Sequence, residues 1–133
     1  VNLYAGAAMQ CYFTSCPLDS ESVKHNALLS FTVPEYGIVF RAQFAGTDAE
    51  CEYASLLSLL EFVEINPQLF KDKTVEIFGD SSVVVNQVNG IEVCDGELEP
   101  YKNMAMLFRK KVPYILNYIP PKENPAQNCL YSP

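Results

Sequence analysis

The sequence predicts an α/β fold: a five-stranded mixed sheet, three antiparallel strands followed by parallel ones, flanked by helices. Three observations carry that prediction. Residues 27–45 carry apolar, β-prone segments on either side of a Pro34-Glu35-Tyr36-Gly37 turn, the pattern of an antiparallel hairpin. Thr47-Asp48-Ala49-Glu50 forms a capping box at the head of a long apolar segment, the pattern of a helix start. Beyond that helix, strand-like and helix-like segments alternate, as they do where later strands run parallel and helices cover the sheet.

A length of 133 residues suits one core and is short for two, so residues 1–133 read as a single domain with a short polar tail over 123–133. Hydrophobic residues make up 49% and charged residues 19%, which excludes a disordered tail or a polar linker. Nine bases against sixteen acids leave a net charge of −7. That charge opposes a bulk grip on phosphate and leaves only local contact through a few bases. No apolar run reaches the roughly 20 residues of a membrane-spanning helix, so no membrane partner is expected. The sequence opens Val-Asn-Leu-Tyr, without an initiator Met and without a charged segment leading into an apolar core. A processed protein or a piece of a longer one, lacking a signal peptide, is expected. The five cysteines (Cys11, Cys16, Cys51, Cys94 and Cys129) include no Cys-x-x-Cys and no zinc-site spacing. An odd, scattered set points to a reducing, intracellular compartment: cytoplasm, nucleus or mitochondrion.

Taken in order, a first strand lies at Val1–Ala5, at Met9–Thr14, or at both. Polar residues 16–26, with Pro17, read as a loop in which His25 is solvated. Ala27–Val33 is apolar and β-prone; after the turn, Phe40, Ala42 and Phe44 alternate with Arg41 and Gln43. The helix opened by Thr47 runs to about Ile65, where Asn66-Pro67 stops it. Tyr53, Leu56, Leu57, Leu60 and Val63 fall at helical spacing, and Leu59 and Phe62 widen the stripe enough to pack against a sheet and a second helix. Thr74–Phe78 is a short strand. Propensity alone extends strand character through Val83-Val84-Val85, whereas Ser81 as a cap and Gly90 as a stop define a short helix. Pro100 suits the first turn of a further helix with Leu98, Tyr101, Ala105, Phe108 and Val112 at spacings of three and four. Arg109-Lys110-Lys111 close that helix, where cations complement its dipole. Tyr114–Ile119 is the last strand.

Four segments in this order resemble the ribonuclease H family. Tyr4-Ala5-Gly6-Ala7-Ala8 is similar to its first-strand Asp-Gly motif, with Ala5 in place of the Asp. In Thr47–Ala54, Cys51-Glu52 stands where the first helix carries Ala-Glu. Glu76-Ile77-Phe78-Gly79-Asp80-Ser81, with residues 83–90, resembles the fourth strand and the short helix after it, and assigns Val83–Asn89 to helix. Residues 119–128, Ile-Pro-Pro-Lys-Glu-Asn-Pro-Ala-Gln-Asn, resemble the closing Asn-x-x-Ala-Asp.

The resemblance implies a ribonuclease H-like fold over about residues 3–130 and, in active members, two-metal phosphodiester hydrolysis with four carboxylates around a Mg²⁺ pair. Residue by residue, the set is incomplete. Glu52 and Asp80 match two of the acids. The first-strand acid is replaced by Ala5 or, in a second register with Cys11–Ser15 as the strand, by Thr14. The closing acid is replaced by Asn128 when counted from Asn124, or by Gln127 when anchored on Ala126. A methyl, hydroxyl or amide does not supply the anionic charge that offsets Mg²⁺ dehydration. The expectation is therefore a hydrolytically inactive domain, with Glu52 and Asp80 as relic acids, Ala5 and Asn128 as lost positions, and no cofactor. Asp80 then has a structural duty such as helping to cap the helix at Ser81, and Glu50 serves the capping box.

Such a domain would be a structural or interaction module within a larger nucleoprotein assembly, such as a retroelement polymerase or an organellar ribosome, with other proteins as partners. Two alternatives stand beside it. One is an active metal-dependent ribonuclease H, cleaving RNA in RNA–DNA hybrids with Mg²⁺. The other is a binder of RNA or hybrid that does not cleave, using Arg109, Lys110, Lys111 and Lys122.

Overall fold

A strand buried on one face shows burial at every second residue, and β1 (Ala8–Pro17) does so: Met9, Cys11 and Phe13 are fully buried. The computed structural model describes residues 7–19, 24–94 and 96–129. β1 therefore corresponds to the Met9–Thr14 segment and extends three residues beyond it, while Val1–Ala5 lies outside the described residues. β2 (His25–Val33) and β3 (Ile38–Gly46) form the expected hairpin around a 3₁₀ turn at Pro34–Tyr36. Gly37 closes that turn at φ +64°, a left-handed conformation that favours glycine. α1 (Asp48–Ile65) begins at the capping box: the Thr47 hydroxyl accepts from the Glu50 amide, and Glu50 Oε1 accepts from the Thr47 amide. Pro67 does more than end α1, because it opens a one-turn helix, α2 (Pro67–Phe70).

β4 (Thr74–Gly79) leads into α3 (Ser82–Val88), where the Ser81 hydroxyl accepts from the Val84 amide. Helix thus prevails over the β-propensity of three consecutive valines, because Val84, Val85 and Val88 bury one helical face. α4 (Glu99–Lys111) runs into β5 (Tyr114–Tyr118). As far as residue 129 the expected polar tail is folded: a 3₁₀ turn at Pro121–Glu123 leads to α5 (Pro125–Cys129), with Asn124 and Ala126 buried.

The five strands form one sheet in the order β3-β2-β1-β4-β5. β1, β2 and β3 pair antiparallel, and β1, β4 and β5 pair parallel. The core lies between sheet and helices, where Phe13, Phe31 and Ile77 meet Tyr53, Leu56, Leu59 and Leu60 of α1. Each fully buried side chain of this size contributes roughly 1.5–3 kcal/mol. Leu57 and Phe62 lie half-buried at the rim of that stripe. His25 is not solvated. It is buried at the end of the hairpin opposite Gly46, with Nε2 2.8 Å from Asp48 Oδ1 in the first turn of α1. Among the described residues, no helix is long and apolar enough to cross a membrane, and Cys11, Cys51 and Cys94 are free thiols.

Candidate functional site

Four elements converge where β1 and β4 end. Thr14 and Ser15 come from β1, Asp80 follows the last residue of β4, Glu52 sits in the second turn of α1, and Asn124 and Gln127 lead into and lie within α5. Gly79 permits the close approach: a Cβ there would lie 2.3 Å from the Phe13 ring. Phe13 is the register partner of Gly79, so Asp80 emerges beside Thr14. Successive strand residues point to opposite faces, so Thr14 meets α5 while Ser15 meets α1.

Asp80 is an acceptor surrounded by donors. The Thr14 hydroxyl donates to it, 3.0 Å from both Oδ1 and Oδ2. Asn124 Nδ2 donates to Asp80 Oδ2 at 3.0 Å and to the Phe13 carbonyl at 3.0 Å. Gln127 Nε2 donates to Asp80 Oδ2 at 2.8 Å and to Thr14 Oγ1 at 3.0 Å. Asn124 Oδ1 in turn accepts from the Ala126 amide at 3.0 Å. Both protons of each amide group therefore have acceptors. Thr14 is fully buried and Asn124 nearly so, which makes this satisfied network rigid. Asp80 does not cap α3, since Ser81 performs that duty alone.

Glu52 is arranged differently. Ser15 donates to its Oε2 twice, from the hydroxyl at 2.6 Å and from the backbone amide at 2.9 Å. Its Oε1 is buried with no hydrogen-bond partner among the described residues, and the residue is 8% exposed. Burial pushes the carboxyl up to about 8; the nearby Asp80 adds to the rise, and the Ser15 hydrogen bonds oppose it. Burial therefore favours the protonated form of Glu52.

These residues do not fit a magnesium pair. Hard dications need several anionic or lone-pair oxygens aimed at one point. Here the lone pairs of Asp80 are turned onto N–H and O–H donors, and those donors would face the cation with their positive ends. The second acid, Glu52, is buried and spends Oε2 on two donors from Ser15. Among the described residues, no group of three or more His, Cys, Asp or Glu side chains is assembled to hold a metal ion.

The positions named from sequence are distributed as follows. Thr14 stands beside Asp80, and Ala5 lies outside the described residues. Gln127 reaches Asp80, and Asn128, the position counted from Asn124, is exposed one residue on. Arg109, Lys110 and Lys111 are remote. They precede β5, whose first residue Tyr114 pairs with Val75, so they lie at the opposite end of β4 from Asp80. Five residues of strand put roughly 16 Å between those levels of the sheet. Arg109 stacks over Tyr114, 4.5 Å from the ring centroid, and Lys111 Nζ lies 3.4 Å from Glu64 Oε2. Of the four bases named from sequence, Lys122 is at the Asp80 end, exposed in the turn after β5. Ser15 belongs to no motif in the sequence, although its position next to Thr14 on a strand directs it towards the opposite face and the helix.

No protein-family model matches the chain, and no curated protein matches it in sequence. Solved structures do match. The chain is similar to LC11-RNase H1, isolated from compost by a metagenomic approach, with a TM-score of 0.76, 20% identity and 92% of each chain covered. It is also similar to LC11-RNase H1 in complex with RNA/DNA hybrid, with a TM-score of 0.74, 19% identity and 88% of each chain covered. RNase H1 from the halophilic archaeon Halobacterium salinarum NRC-1 gives a TM-score of 0.71 and 22% identity over 92% of this chain and 93% of that one. At these identities the likeness establishes the ribonuclease H-like fold.

Proposed function

We propose that the chain is a non-catalytic ribonuclease H-like domain, used as a structural or interaction module within a larger nucleoprotein assembly of the retroelement-polymerase or organellar-ribosome kind. The observation that carries this reading is the environment of Asp80: Thr14, Asn124 and Gln127 supply hydrogen-bond donors where a hydrolytic centre needs oxygen ligands. Protein partners are favoured over nucleic acid by charge placement. The net charge is −7, and the run Arg109-Lys110-Lys111 is turned away from the Asp80 end and partly engaged within the fold. A second reading, a binder of hybrid that does not cleave, draws on the RNA/DNA hybrid bound by a protein of the same fold and on Lys122 at the Asp80 end.

Incubating the chain with a labelled RNA–DNA hybrid in Mg²⁺ or Mn²⁺ separates these readings. The expected result is no cleavage above a buffer control and no retained hybrid at low salt. Cleavage that disappears in Asp80→Asn would contradict the non-catalytic reading. Retention of intact hybrid that falls steeply with salt would favour the binder.

A further inference from the structure

Charge is unevenly placed in this acidic chain. Lys71, Lys73, Arg109, Lys110 and Lys111, five of its nine bases, lie in the two short segments that lead into β4 and β5. Asp72 is the one acid in those segments. Val75 pairs with Tyr114, so the segments lie side by side at the end of the sheet away from Asp80. Arg109 is held over the Tyr114 ring, whereas Lys71, Lys73, Lys110 and Lys111 are exposed. Glu97 and Glu99 stand at the other end of α4, whose 13 residues span roughly 20 Å. Salt screens charges at that distance, because the Debye length is about 8 Å at physiological ionic strength.

A cleft of about 210 Å³ opens between the two segments. Its floor is Val63, Phe70 and Val75, all buried, and its walls are Pro67, Val112 and Pro113. Lys73 and Lys111 also line it, together with Glu64. Both lysines have acidic neighbours at long range: Lys111 Nζ lies 3.4 Å from Glu64 Oε2, and Lys73 Nζ lies 3.4 Å from Glu35 Oε2. An ammonium has three N–H donors, so each lysine can keep its acid and still donate to an incoming carboxylate.

We propose that this cleft is a docking site for an acidic segment of a partner protein, which sets an apolar side chain on the floor and carboxylates against Lys73 and Lys111. The proposal rests on the reading of the chain as an interaction module and gives the partner its chemistry. Charge complementarity selects an acidic occupant, and the apolar floor selects a peptide over nucleic acid, whose phosphates and sugars would leave that floor unused. A long polyanion also meets the repulsion of a net charge of −7 beyond the lysines. Residues 1–6, Val-Asn-Leu-Tyr-Ala-Gly, and residues 130–133, Leu-Tyr-Ser-Pro, contain no acid, so neither segment matches the lysines.

Fluorescence anisotropy with a labelled peptide of alternating glutamate and leucine tests it. The expected result is saturable binding that weakens as salt rises. Lys73→Glu combined with Lys111→Glu should weaken it about tenfold or more, with the fold verified by circular dichroism. Lys102→Glu, the same charge change in the first turn of α4, should leave it unchanged. A peptide of glutamate and serine should bind about tenfold more weakly, for want of an apolar side chain. No saturation at millimolar peptide, equal binding of the serine peptide, or binding indifferent to Lys73 and Lys111 overturns the proposal. So does tighter binding of a labelled single-stranded RNA that the paired substitution abolishes, or a dimer, seen by sedimentation without peptide, that it dissociates. Cleavage of hybrid would sink the non-catalytic reading and leave peptide binding as it is, so the two failures are distinguishable.

Discussion

Glu52→Gln should remove a pH dependence that the unsubstituted chain shows between about pH 4.5 and pH 8. The ordinary carboxyl value is 4.5, and burial raises Glu52 in the fold to about 8. Below the lower value, both folded and unfolded chains hold the proton. Between the two, the unfolded chain releases it and the folded chain does not, so stability falls as pH rises. Above the upper value both have lost it, and the full cost of an ionised, buried carboxylate is present, on the order of 5 kcal/mol at most. Gln keeps the oxygen that accepts from Ser15 and does not ionise. Urea unfolding from pH 4 to pH 9 should therefore show the unsubstituted chain losing stability relative to Glu52→Gln, with the gap widest at high pH. Parallel profiles for the two proteins would show that Glu52 is not held neutral. A carboxyl held neutral by burial would have to release its proton to a hard cation, which would make any metal binding pH-dependent.

Asp80→Ala should destabilise the fold by roughly 2–4 kcal/mol, because it strips both acceptor oxygens from three donors, two of them almost fully buried. Asp80→Asn keeps one oxygen and should lose about half as much. The measurement belongs near pH 6, where Glu52 is protonated and its repulsion of Asp80 is absent. In a cage of ionised carboxylates the sign reverses, since removing one acid without metal relieves repulsion and stabilises the protein. The loss should also be local. Asn124 and Gln127 tie α5 to β1 and β4 through Asp80, so amide exchange in α5 should accelerate before the rest of the sheet opens. An unchanged or raised stability in Asp80→Ala would contradict the hydrogen-bond account.

Most of the fold is legible in the sequence because its signals are local. The capping box at Thr47 and Glu50, the turn at Pro34–Gly37 and the Ser81 cap each lie within a few residues of the element they define. β1 is harder to read. Its hydrogen-bonding partners include β4, so that Thr14 and Asp80 are 66 residues apart, and with no acid in the strand to anchor the register, Val1–Ala5 and Met9–Thr14 compete on composition alone. The tail misleads for a related reason. Residues 123–133 are mostly polar, yet Asn124 is buried because its amide bridges the Phe13 carbonyl and Asp80. His25 likewise looks like a loop residue until the hairpin brings it to Asp48. For the site, the positions of Glu52 and Asp80 follow from motif order, but their partners do not. Ser15 and Gln127 act through their place on opposite faces of the sheet, which becomes definite only once the strand register is known.

Calorimetric titration of the chain with Mg²⁺ at neutral pH tests the central claim most directly. The account predicts no saturable heat up to millimolar Mg²⁺, because Asp80 is already satisfied by Thr14, Asn124 and Gln127 and burial favours the protonated form of Glu52. Saturable binding of two ions per chain, abolished by Asp80→Asn, would contradict it.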